Sequence, residues 1–122
     1  MKVVSIIQAR MGSTRLPNKV MKLINGIPMI EILLKRLNNS KLINKIILVT
    51  SNDKKNLPLI THVRSLGFDV IKGDEIDVLS RYLIASEKFK AEAIVRITGD
   101  CPLVDPILVD ECIKGFLNSK VD

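Results

Sequence analysis

Apolar residues recur along the chain with two alternating periods. Val3 to Gln8, Lys45 to Thr50, Phe68 to Lys72 and Ala93 to Thr98 are short β-branched or aliphatic runs, the composition of parallel strands buried on both faces. Between them the period turns helical. Met29, Ile30, Leu33, Leu34 and Leu37 share one stripe, with Glu31 and Lys35 paired at i,i+4 on the other face. A second helix is expected from near Pro58 to Gly67, carrying Ile60, Val63 and Leu66 inward, with Gly67 as the left-handed residue that follows it. A third fits Ile76 to Phe89, with Leu79, Tyr82, Leu83 and Ser86 on its stripe. The fourth starts at Asp105 as N-cap with Pro106 in the first helical position, and buries Val109, Cys112, Ile113 and Phe116. On this pattern Cys112 is core, and His62 lies on a helix surface.

Strand and helix in regular alternation predict an α/β fold with a mostly parallel sheet and right-handed crossovers. There is no internal repeat, low-complexity tract or linker, and 122 residues suit one domain. Ligands of such open sheets bind beyond the carboxyl ends of the strands, near the point where strand order reverses. Ala9 to Lys19 and Gly99 to Pro106 are the segments that follow the first and last strands.

Composition narrows the field. With 47% hydrophobic and 26% charged residues the chain is too apolar to be disordered. The run Val3 to Ile7 is broken by Ser5 and closed by Gln8, far short of the ~20 residues of a membrane span, and it leads to no small-residue cleavage site. No membrane segment or signal peptide is expected. Cys101 and Cys112 form no CxxC pair and no cluster with His62, which argues against zinc or disulfides and for a reducing cytoplasm. Residues 1–60 hold eleven Lys/Arg against two acids, a balance of +9, whereas residues 61–122 hold eight against eleven, a balance of −3. One Tyr and three Phe are too few stacking platforms for a nucleic-acid surface. A polyphosphate met by bases, with a metal met by acids, fits the same asymmetry.

The first loop reads QARMGSTRLPNK from Gln8 to Lys19. It gathers Arg10, Arg15 and Lys19 around Gly12, Ser13 and Thr14, which supplies cations, hydroxyls and backbone N–H groups to an anion. It matches neither GxGxxG nor GxxxxGK[ST], so a dinucleotide fold or P-loop ATPase loses its main support. The second loop reads TGDCPLVDP from Thr98 to Pro106. Gly99 permits a sharp turn and Asp100 offers a carboxylate, and Mg²⁺ on a polyphosphate takes only one or two from the protein. Cys101 has no nearby His to activate it and reads as packing. Arg96, on the last strand, either points toward the site or is a buried structural arginine paired with Asp74 or Glu75.

QARMGSTRLPNKV, NGIPMIE, GDEIDVLSRY and RITGDCPLVDP, in that order, resemble the cytidylyltransferases that activate acidic sugars, the acylneuraminate and 3-deoxy-manno-octulosonate group. The likeness is strongest to the spore coat polysaccharide biosynthesis protein F branch. It implies a three-layer α/β/α, Rossmann-like nucleotide-binding domain that uses CTP and Mg²⁺ to make a CMP-sugar and pyrophosphate. Carried over, it makes Arg10, Ser13, Arg15 and Lys19 triphosphate binders, with Ala9 and Gly12 in the same nucleotide-binding loop, and Asp100 the metal ligand. Arg10, Lys19 and Asp100 are then the catalytic set. Asp77 and Arg81 fall near nucleotide or sugar, and Thr50, Ser51 and Asn52 are placed to meet the base or simply to form a polar turn. Family members are about twice this length, so residues 1–122 correspond to the nucleotide-binding N-terminal part. The sugar-binding and dimerising half and a second metal carboxylate belong to the remainder.

The resemblance therefore implies transfer of CMP from CTP to the hydroxyl of an acidic or amino sugar, for surface polysaccharide. The competing expectation is a nucleotide-binding module without activity. Uridylyl or guanylyl transfer is disfavoured, because relatives of that kind open with a doubled glycine where Arg10-Met11 stands here. Many neuraminate-type relatives carry proline in place of Gln8, so the identity of the sugar does not transfer. With strand order 3-2-1-4 the strand Ala93 to Thr98 is left at an edge, which predicts self-association into a homo-oligomer.

Overall fold

The computed structural model describes residues 2–9, 11, 19–73, 78–98 and 104–119, of which 19, 78–82, 98 and 119 by backbone alone. In chain order the elements are β1 (Val3–Gln8), β2 (Leu23–Ile24), β3 (Ile27–Pro28), α1 (Met29–Leu37), β4 (Lys45–Ser51), α2 (Leu57–Ser65), β5 (Asp69–Gly73), α3 (Val78–Phe89), β6 (Ala93–Thr98) and α4 (Pro106–Ser119), with 3-10 turns at Lys19–Met21 and Lys54–Asn56. The main sheet runs β5-β4-β1-β6 with every pairing parallel. This is the expected order, in which β1 lies at the reversal point between β4 and β6.

Side-chain alternation along each strand builds two cores from one sheet. Ile7, Ile46 and Leu48 face α1 and α2, where Ile30, Leu33, Leu34, Leu37, Leu59, Ile60 and Val63 are buried. Val4, Ile6, Ile47, Val49 and Ile71 face the other way, against Ala85 and Phe89 of α3. Helices on both faces make the three-layer architecture. The five predicted stripe residues of α1 are all buried. Gly67 follows α2 at φ +92°. Asp105 caps α4 through its Oδ1, which accepts from the Ile107 amide at 2.9 Å.

The hairpin β2–β3 is absent from the pattern reading, because two-residue strands show no alternation. Its signal is the Asn25-Gly26 pair, with φ 51° and 81°, the left-handed conformations that a two-residue hairpin turn requires. Helix α3 turns differently from the expectation. Ala85 is buried while Leu83 is 55% exposed, since two residues on a helix are about 200° apart and the layer beneath takes Ala85.

The expected burial along α4 is half right. Ile113 is buried, but Cys112 is exposed and Phe116 is 38% exposed. The amphipathic stripe is real, yet much of it opens on a groove of about 470 Å³ between α4 and β6, lined by Val3, Ile94, Leu108, Cys112 and Phe116 among others. Strand β6 is a sheet edge, so nothing among the described residues completes this core. Arg96 lies exposed along the same groove, which removes the buried structural arginine; Asp74 and Glu75 lie outside the described residues.

Candidate functional site

Parallel register places the two chemically distinctive loops side by side. Gln8, the last residue of β1, is the register partner of Thr98, the last residue of β6. The loop after Gln8 and the loop after Thr98 therefore leave adjacent strands at the same level. On the other flank of β1, β4 ends at Ser51, which is paired with Gly73 at the end of β5. All four carboxyl ends thus lie along one rim. The segment leading to Asp77 starts from β5, two strands away from β1.

Of the residues assigned from sequence, Arg10, Gly12, Ser13, Arg15, Asp77 and Asp100 lie outside the described residues. Lys19 begins the 3-10 turn and Arg81 is the fourth residue of α3, both described by backbone. Ala9 is buried, and its amide donates to the Val49 carbonyl at 3.2 Å, which carries the β1–β4 ladder one residue past the strand. Thr50 and Ser51 are wholly buried. Thr50 Oγ1 has no hydrogen-bond partner among the described residues, whereas Ser51 Oγ accepts from the side-chain amide of Asn56 at 2.7 Å. The exposed polar residue at this strand end is Asn52, whose amide donates to the Gly73 carbonyl at 2.9 Å.

Three residues that sequence reasoning passed over make long-range ties, Asn56 and Arg36 to the two loops and Asp110 from α4 to the segment before β4. Asn56, in the 3-10 turn after β4, is 1% exposed and accepts from the Met11 amide at 2.8 Å through Oδ1. Arg36 of α1 donates from Nε to the Val104 carbonyl at 2.8 Å, which fixes the far end of the second loop. Asp110 of α4 accepts from the amides of Lys41 at 2.9 Å and Leu42 at 3.2 Å, and from the Ser40 hydroxyl, tying α4 to the segment after α1. Burial resists the Asp110 charge, but these donors outweigh it and hold the carboxyl below its ordinary value. No periodicity marks such residues, because each is polar, lies near an element end, and finds a partner about 45 to 70 positions away in sequence.

Below the rim, Glu31 joins two helices. It accepts from Lys35 Nζ at 2.9 Å and meets His62 Nε2 of α2 at 2.9 Å. The Lys35 hydrogen bond, followed by that of His62, holds the Glu31 carboxyl below its ordinary value. His62 is thus part of a helix-to-helix contact. Among the described residues no three His, Cys, Asp or Glu side chains cluster as a metal site, and no helix is long and apolar enough to cross a membrane.

A family model described as cytidylyltransferase matches residues 4–122, nearly the whole chain. The chain belongs to the cytidylyltransferase family. Among relatives of this cytidylyltransferase chain, the spore coat polysaccharide biosynthesis protein SpsF of Bacillus subtilis is 37% identical over 98% of it and 52% of SpsF. The 3-deoxy-manno-octulosonate cytidylyltransferase of Geobacter sulfurreducens is 30% identical over 93% of this chain and 44% of that protein. A solved cytidylyltransferase from Leptospira borgpetersenii superposes with a TM-score of 0.92 at 36% identity, over 97% of this chain and 50% of the other. The chain spans about half the length of the curated relatives it matches.

Proposed function

We propose that residues 1–122 form the nucleotide-binding half of a CTP-dependent cytidylyltransferase that transfers CMP to a sugar hydroxyl and releases pyrophosphate. The observation that supports this most directly is the Gln8–Thr98 register, which starts a cation-rich loop and an acid-bearing loop side by side in a chain of this family. Arg10, Ser13, Arg15 and Lys19, with the Ala9 and Gly12 backbone, take the triphosphate in this reading. The sugar hydroxyl attacks the α-phosphorus and the pyrophosphate leaves into the cations, so catalysis consists of positioning and charge neutralisation. Arg10 and Lys19 accordingly serve as catalytic residues that receive the charge developing on the leaving group.

Asp100 would hold Mg²⁺, which when bound neutralises phosphate charge. One carboxylate from this chain suits an ion whose other ligands are phosphate oxygens and water. Thr50 and Ser51, with Asn52, fall to the base, and Asp77 with Arg81 to the nucleotide or sugar. With both β4 hydroxyls buried, contact with the base comes through the backbone at this strand end and through Asn52. The printed names of the relatives, 3-deoxy-manno-octulosonate cytidylyltransferase and a spore coat polysaccharide protein, support an acidic sugar of a surface polysaccharide, with an amino sugar kept beside it, and in this reading the reaction is cytoplasmic.

A second reading, from a different class, is a module that binds nucleotide without turnover. Pyrophosphate release on adding CTP, Mg²⁺ and 3-deoxy-manno-octulosonate separates the two. Binding is tested by thermal unfolding with Mg²⁺ and each of CTP, UTP, GTP and ATP. CTP at about 100 times its dissociation constant should add about 2.7 kcal/mol, or roughly 10 °C, and Arg10→Ala should abolish the shift. No shift with any nucleotide sets the triphosphate reading aside.

The open edge of β6 supports self-association, with Ile94 46%, Leu108 63% and Ile107 70% exposed. Sedimentation should show concentration-dependent association that Leu108→Lys removes. A strictly monomeric chain at high concentration contradicts it.

A further inference from the structure

We propose that Asn56 is a positioning residue for the triphosphate loop, an inference that rests on reading that loop as the nucleotide-phosphate binder. Asn56 is 1% exposed, and its side chain bridges Met11, beyond the end of β1, and Ser51, the last residue of β4. Its Oδ1 accepts from the Met11 amide at 2.8 Å. Its Nδ2 donates to Ser51 Oγ at 2.7 Å and to the Ser51 carbonyl at 3.3 Å. A primary amide is the one uncharged side-chain group that accepts at one atom and donates twice at the next. Both faces of that chemistry are used here.

The consequence concerns Arg10. The amide of Ala9 is bonded to the Val49 carbonyl and that of Met11 to Asn56, and Met11 is itself buried in the core beneath α1 and α2. The residues on either side of Arg10 are therefore both fastened to β4 or to the turn that follows it. A loop that must present amides and cations to a polyphosphate gains from entering at a fixed angle, because reorganisation on binding weakens affinity. Asn56 supplies the second fastening, 45 residues away in sequence. It touches neither reacting atom nor phosphate in this account, and acts through the backbone at Met11.

The test compares CTP binding in the presence of Mg²⁺ by calorimetry, well below each melting temperature, for the wild-type chain, Asn56→Leu and Val63→Ala. Leucine keeps the size but withdraws the acceptor and both donors. Val63→Ala loosens the same core from the neighbouring helix without touching the loop. The expected result is CTP affinity about tenfold or more weaker in Asn56→Leu and unchanged in Val63→Ala, with fast exchange of the Met11 amide in the free Asn56→Leu protein. Equal affinity in Asn56→Leu and wild type overturns the proposal while leaving the nucleotide site intact. No binding by the wild type overturns the triphosphate reading instead. Where Asn56→Leu does not fold, Asn56→Ala, which withdraws the acceptor and both donors without adding bulk, is read by the same comparison.

Discussion

The two flanks of the sheet are finished to different degrees. On the side of β4 and β5 every large apolar residue of β4 is buried, α1 and α2 close one face, α3 closes the other, and Lys45 pairs with Asp69 across the strands. On the side of β6 the strand is an edge, α4 covers only part of its neighbour, and Ile94, Ile107 and Leu108 are exposed. Both flanks are built from equally apolar sequence. Burial on one side and exposure on the other follow from what lies next to each strand. The difference teaches that hydrophobicity of a stripe reports the demand for a partner, and that the partner has to come from elsewhere in the structure.

Core truncation tests this most strongly. Leu34→Ala, in the closed flank, should cost about 3 kcal/mol in urea unfolding, because a fully buried leucine leaves a cavity. Leu108→Ala should cost a small fraction of that. Equal losses would mean that the groove beside α4 is filled and would dissolve the contrast between the flanks.

A smaller effect is expected at the cap of α4. Asp105→Ala removes the acceptor of the Ile107 amide and should cost about 1 kcal/mol. A loss near zero would show that the Asp110 ties to the segment after α1 hold α4 without its cap.

The least effect, and the most specific, is the pH dependence of those ties. The Asp110 carboxyl is held below its ordinary value in the folded chain, so its contribution is complete above the ordinary carboxylate range and is lost as the pH falls through the folded value. Glu31 acts in the same direction. Asp110→Asn should therefore be less stable than wild type at pH 7, with the gap narrowing as the pH drops below about 4. A gap independent of pH would show that the Asp110 charge contributes nothing to the join.

Much of the fold was legible in advance. The five buried residues of α1, the cap at Asp105, the turn at Gly67 and the four strands of the main sheet all follow from local pattern, because periodicity and capping are satisfied within a few residues. The first loop stood out in sequence for a different reason: Arg10, Arg15 and Lys19 gather three cations with no acid among them, and that density carries its own signal. Cys112 and Phe116 were misplaced because a helix stripe says which face seeks burial without saying how much of that face finds it. Leu83 was misplaced because neighbouring apolar residues on α3 left the inward face undetermined.

By itself, then, the sequence determined the four strands of the main sheet, the four helices, the family and the composition of the cationic and acidic loops, since each is written in residues close together along the chain. Tertiary structure alone decided that the two loops leave adjacent strands at the same level, through the Gln8–Thr98 register, and which polar residues hold them, through Asn56 and Arg36. Those contacts join positions tens of residues apart. Their energy depends on a buried donor meeting a buried acceptor at hydrogen-bonding distance, a condition that comes into being only once the strands are paired.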